Sequence, residues 1–113
     1  MITNKTKKFV IIKNAKLCKS IFSKAVGLMF RFKQPDYALV FVFNSERRAD
    51  LHMLFVFFPI DVLFLDKNKK IVDIKNNFKP FTYYAPKAKA MYVVELPTNL
   101  LKNTAIGDVI ITD

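Results

Sequence analysis

The stretch LHMLFVFFPIDVLFLD, residues 51–66, limits what this chain can fold into more than any other. It holds one imidazole, one proline and one internal carboxylate among side chains that are otherwise almost all apolar. A membrane helix needs about 20 apolar residues, and this stretch is shorter and is broken by Pro59 and Asp61. Its Val, Ile and Phe content, split at Pro59, reads instead as two strands with apolar residues on both faces, 51–57 and 60–66. Strands of that kind must be covered on both sides.

The surrounding runs repeat the pattern. KKFVIIK (7–13) is short, β-branched and bounded by lysines, as an opening strand would be, with a turn at Asn14. YALVFVF (37–43), KIVDIK (70–75), AMYVVEL (90–96) and GDVIITD (107–113) are further strands. DKNKK between two of these runs has the residues of a hairpin loop, so 60–66 and 70–75 should pair antiparallel. From Leu17 to Met29 the apolar positions Leu17, Ile21, Phe22, Ala25, Val26 and Met29 recur at helical spacing, and Gly27 weakens or ends that helix. TNLLKNT could add one short helical turn capped by Thr98. The expectation is an α+β domain over residues 1–113: mostly antiparallel β, a partly closed barrel-like sheet, one helix near the N terminus and a short second one.

Composition narrows function mainly by exclusion. With 113 residues and two glycines, the chain has one core's worth of material and no glycine-rich phosphate loop. One cysteine, Cys18, rules out an internal disulfide and any multi-cysteine zinc site, which fits a reducing compartment. One histidine, His52, rules out a histidine-rich metal centre, and no cofactor motif is present. No secretory signal or membrane span is visible, so a cytoplasmic protein is expected, a monomer with no membrane among its partners. The net charge of +10 comes from sixteen lysines and three arginines against nine acids. Such a field draws polyanions, but lysine in about fivefold excess over arginine suits backbone contact more than base reading.

Candidate site residues are few. Asp61, between Ile60 and Val62, either begins a strand at the surface or is buried and needs donors, which backbone amides or Arg31 could supply. His52 could line a pocket or satisfy a structural hydrogen bond. FKPFTYYAPKAK interleaves aromatics with lysines, so Lys79, Phe81, Tyr84, Lys87 and Lys89 could contact a nucleic acid. The same loop reads equally well as a lid on the barrel, with Phe78, Phe81, Tyr83 and Tyr84, and that is the preferred expectation.

Taken together, GLMFR (27–31), HM (52–53), PIDVLFLD (59–66), YVVELP (92–97) and GD (107–108) resemble the DUF192 family, also called UPF0127, in order and spacing. The resemblance runs from about the first helix to the end. It implies a compact, mostly β domain found in bacteria and archaea, with no established biochemical function. The family's best-marked element falls on Gly27, Leu28, Met29 and Arg31. Its second element keeps Met53, Pro59 and Asp61 here, while His52 takes a tryptophan position and Leu54, Phe55 and Val56 replace Lys-Asn-Thr, which looks like the archaeal form.

Three readings follow. The first is a non-enzymatic binding or accessory domain, with a pocket near Met29, Arg31, His52, Met53 and Asp61 that takes a small ligand or a protein partner. The second is a weak nucleic-acid binder using its basic surface. The third is an enzyme with His52 and Asp61 as base and orienter, which requires the two to lie within hydrogen-bond reach.

Overall fold

β6 (Ile60–Leu65) has all six residues buried, and its alternate side chains enter two different cores. Ile60, Val62 and Phe64 join one cluster, with Leu39, Phe41, Phe43 and Val93; Leu63 and Leu65 join the other, with Val40, Val94, Leu96 and Ile71. The period-two alternation of a strand sends neighbouring residues to opposite faces. The sheet is therefore a middle layer. A computed structural model describes residues 1–18, 36–48, 50–52 and 57–113 of the chain, with 51 and 52 described by backbone alone.

Around β6 lies a five-stranded sheet in the order β3-β4-β9-β6-β7. Its other members are β3 (Ala15–Cys18), β4 (Ala38–Arg47), β7 (Ile71–Phe78) and β9 (Ala90–Leu96). β6 pairs antiparallel with both β7 and β9, β9 pairs antiparallel with β4, and β3 runs parallel to β4. The DKNKK turn joins β6 to β7 as expected: Asp66 accepts from the amides of Asn68 and Lys70, and Lys69 takes the left-handed φ of 63° that the turn requires.

A second sheet has the order β10-β1-β2, built from β1 (Ile2–Asn4), β2 (Phe9–Ile12) and β10 (Ile110–Thr112). Ile2, Ile11 and Ile110 from this sheet close the core that holds Leu63 and Leu65. On the opposite face Phe58 and the ring of Tyr84 pack against the cluster that holds Phe64. A two-stranded ribbon, β5 (Leu51–His52) with β8 (Tyr83–Tyr84), carries that ring.

The α+β expectation is corrected. Among the described residues there is no helix, and the sheets stay open instead of closing into a barrel. The two-sided strands drew the barrel expectation, but each face is covered by a separate layer, so closure is not needed. Leu17 and Cys18, the start of the expected helix, belong to β3; the rest of it lies outside the described residues. The expected second helical turn, at 98–104, does not form. Asn99 and Lys102 adopt φ of 69° and 52°, which break a right-handed turn at both positions. No helix among the described residues is long and apolar enough to cross a membrane.

One polar knot fastens β1 and the β1–β2 turn to the loop that precedes β10. The fully buried Asn4 donates its amide to Thr104 Oγ1 (3.0 Å) and Asp108 Oδ2 (3.0 Å). Lys7 Nζ reaches the same carboxylate oxygen at 2.8 Å, and the Ala105 amide reaches it at 3.0 Å. These donors, Asn4 first and Lys7 second, hold the Asp108 carboxyl down at about 2, against an ordinary 3.8. A depressed carboxyl stabilises the fold fully above its unfolded value, and that contribution disappears as pH falls from about 4 to about 2. Asp108→Ala should therefore cost about 1–3 kcal/mol at neutral pH, because it strands the buried Asn4 amide. Thermal melts should show the gap to wild type narrowing across that acidic window; a gap that stays constant with pH would show that the charge contributes nothing.

Candidate functional site

Where β5 meets β8, the chain gathers an aromatic corner. β8 is only two residues long and pairs in register with β5, Leu51 opposite Tyr84 and His52 opposite Tyr83. Because successive strand residues point to opposite faces, Tyr84 turns inward while Tyr83 turns outward. Tyr84 packs its ring 5.8 Å from Phe64 and 6.3 Å from Phe78, with Lys75 Nζ 5.3 Å from its centroid. Tyr83 is 57% exposed and donates its hydroxyl to Asp50 Oδ2 at 2.6 Å. That hydrogen bond raises the Tyr83 pKa.

Phe81 stands beside them. It is 55% exposed, lies edge-on to Phe57 at 5.5 Å, and holds a φ of 60°. Left-handed backbone is a cost for a residue with a bulky Cβ substituent, of order 1–3 kcal/mol, and such strain concentrates at functional sites. Phe57 adds a ring that is 39% exposed. The corner therefore presents three aromatic rings to solvent on a backbone fixed from below.

A buried carboxylate does the fixing. Asp73 on β7 accepts the Tyr84 hydroxyl at 2.6 Å and the Lys87 amide at 2.9 Å on one oxygen, and the Ile74 amide at 2.9 Å on the other. Both ends of the segment 84–87 are thus pinned to the sheet. Burial, and then the bond to Asp73, pushes the Tyr84 hydroxyl up to about 12. The sequence held one cue to this role, a lone acid in the apolar strand KIVDIK, but nothing in the spacing tied it to Tyr84 eleven residues on.

Asp61 has a similar task. It is buried, sits opposite Leu96, and its Oδ1 accepts the Asn77 amide at 2.8 Å. Here β6 and β7 slip in register between Ile60 and Val62, and Asn77 has a φ of 50°. The carboxylate replaces the ladder partner that the bulge removes. Backbone amides supply its donor, the first of the two sources anticipated.

The other expected site residues are distributed differently. Met29, Arg31 and Met53 lie outside the described residues, as does the side chain of His52, so the expected convergence on Asp61 also lies there. Lys79, Lys87 and Lys89 are all exposed; Lys79 lies beside the corner, its carbonyl accepting the Thr82 hydroxyl, while Lys87 and Lys89 lead into β9 toward the Leu65 end of the sheet. Tyr84 is held inward and has no open face for stacking a base. Tyr83, Phe57 and Asp50, which the expected site omits, complete the corner; no sequence periodicity marks them, because the contacts cross two loops. Cys18 is half-buried in β3. Among the described residues, no group of three or more His, Cys, Asp or Glu could hold a metal ion.

Residues 2–111 match the model of DUF192, described as Uncharacterized ACR. A UPF0127 protein of Thermococcus sibiricus is 40% identical over 112 residues, covering 96% of this chain and 71% of the relative. One from Pyrococcus horikoshii is 41% identical over 102 residues, covering 88% and 86%. Both come from archaea. Among solved structures, a candidate transcription regulator of Sinorhizobium meliloti superposes with a TM-score of 0.77 at 25% identity, covering 86% of this chain and 79% of the other. A protein of unknown function from Novosphingobium aromaticivorans gives 0.77 at 22% identity, covering 87% and 74%, and shows the fold alone.

Tyr84→Phe tests the clamp. Loss of the hydroxyl should cost about 1–2 kcal/mol near neutral pH. A tyrosine raised from 10 to about 12 stabilises the fold fully below pH 10 and loses that contribution as pH climbs to 12. Wild type should therefore lose stability across that alkaline window in excess of the Phe variant. Parallel alkaline profiles would show that Asp73 does not hold the phenol.

Proposed function

The chain belongs to the DUF192 family, and on that premise we propose that it is a non-catalytic binding domain that contacts a protein partner through the aromatic corner of Phe57, Phe81 and Tyr83. The observation that carries this reading is Phe81: a strained, left-handed phenylalanine with more than half its surface in water. A chain that needed only a turn there would hold glycine or asparagine, which adopt that φ at little cost. Aromatic rings on a rigid base are the residue types that dominate protein interfaces. At +10, a second copy of the chain is repelled, so an acidic partner fits the surface.

Two observations weigh against the other readings. For catalysis, Asp61 and Asp73 are both buried and both accept backbone amides, which suits structural carboxylates more than an acid or base. For nucleic acid, the exposed Lys79, Lys87 and Lys89 and the Sinorhizobium relative lend support, yet of the expected stacking pair only Phe81 faces outward. For a small ligand held by Met29, Arg31, His52, Met53 and Asp61, the Asp61 carboxylate is buried and already holds the Asn77 amide on one oxygen, which gives it a structural task.

Phe81→Gly separates binding from folding. Glycine relieves the backbone, so the melting temperature should stay within about 5 °C of wild type, equivalent to about 1 kcal/mol. A photo-crosslinker placed at Tyr83 should capture an acidic protein from native extract, and that adduct should vanish when Phe81→Gly is added. If the adduct survives the change, or the variant unfolds readily, the ring is a clasp for Phe57 and the interface lies elsewhere.

A further inference from the structure

The end of the molecule opposite the aromatic corner is built differently. β6 spans about 20 Å at the usual rise per residue, with the corner beyond Ile60 and the DKNKK turn beyond Leu65. At that turn three loops are stitched into one surface by backbone bonds: Lys5 N to Val109 O (2.9 Å), Ile110 N to Lys69 O (2.9 Å) and Gly107 N to Ile71 O (2.9 Å). Each loop carries lysines. Lys5, Lys7 and Lys8 come from the β1–β2 turn, Lys67, Lys69 and Lys70 from the β6–β7 turn, and Lys102 from the last loop.

The acids named at this end are each engaged by amides. Asp66 accepts two amides of its own turn, Asp108 is buried in the Asn4 knot, and Glu46 accepts the Lys67 amide at 2.9 Å. Seven lysines against these three carboxylates leave an excess of four positive charges. Lys7 is paired with Asp108, while Lys69 and Lys102 lie over the rings of Tyr92 and Phe9. Lys5, Lys8, Lys67 and Lys70 are exposed.

Amid this charge stands Ile106, 64% exposed, the most exposed large apolar side chain among the described residues. Gly107, at a φ of 97° that other residues avoid, turns the chain immediately after it and sets it on the loop tip. A nucleic acid would engage the lysines and leave Ile106 in water. An anionic lipid surface takes both, lysines at the headgroups and an aliphatic side chain at the acyl boundary. We propose that this basic end, with Ile106 at its tip, is a peripheral contact site for anionic membranes. The expectation of no membrane partner rested on the lack of a spanning stretch, and surface contact needs none. The inference is independent of the aromatic corner.

Co-sedimentation of the full chain with vesicles decides it. Binding should be weak to phosphatidylcholine alone and strong once phosphatidylglycerol is added. Each Lys→Gln change at 5, 8, 67 or 70 should weaken it about fivefold, and Ile106→Ser about tenfold. The double change Lys13→Gln, Lys79→Gln, at exposed lysines away from this end, should matter far less. All variants are surface changes whose folding is checked by circular dichroism. Equal losses from the two lysine sets, or no effect of Ile106→Ser, would reduce the attraction to net charge and overturn the site. Binding to duplex DNA without binding to anionic vesicles would overturn it in favour of nucleic acid.

Discussion

Burial of both faces of β6 is the constraint from which the rest of the structure follows. A strand with Val62, Leu63, Phe64 and Leu65 all at 0% exposure needs a layer above and a layer below. At roughly 25 cal/mol per Å² of apolar surface, leaving either face open would forfeit several kcal/mol, comparable to the whole stability of a small domain. The chain meets the need with two unlike covers. A three-stranded sheet of Ile2, Ile11 and Ile110 lies over one face, and Phe58 with the two-residue β8 and its Tyr84 ring lies over the other. Among the described residues the second cover includes little regular structure, and side chains hold it in place.

That task falls to aspartates. Asp61, Asp73 and Asp108 are all buried, and each accepts backbone amides where strand pairing stops or slips. A carboxylate with two oxygens can take donors from segments that cannot meet each other in a ladder, and a buried amide left without an acceptor would cost about as much as the bond is worth. The three residues thus serve one physical role at three breaks in the sheet. Read as a set, they account for most of the buried acid in the described part of the chain without invoking chemistry, leaving Glu95 as the remaining buried carboxylate.

How much of this is legible in the sequence depends on the range of the interaction. The strands at 37–43, 60–66 and 90–96 and the DKNKK hairpin are local signals, apolar runs and turn residues, and they match β4, β6, β9 and the β6–β7 turn. β9 matches to the residue. Leu17 and Cys18 fit a helical period and a strand equally well, since two residues carry no period, and pairing with Val40 and Phe41 of β4 decides for strand. β1 is three residues long with threonine at its centre, too little for a pattern, and exists because it pairs on both sides. The barrel expectation misjudged closure because composition reveals that both faces are apolar but not what covers them. In the site, Asp61 was legible as an acid that needs donors if buried, one of two alternatives, whereas the roles of Phe57, Tyr83 and Asp73 were not, because they depend on contacts between loops distant in sequence.

The same distinction separates the two surfaces in kind. Left-handed backbone occurs at Lys8, Lys69, Asn77, Asn99 and Lys102, where polar or long, flexible side chains project from turns. Phe81 differs, because its side chain is a large apolar ring, set edge-on to Phe57 and more than half exposed. An edge-to-face aromatic pair contributes about 0.5–1.5 kcal/mol, which at best offsets the backbone strain. A bulky residue that is both strained and exposed is where a demand from outside the chain would act on residue identity, and among the described residues that combination falls at the corner beside β8.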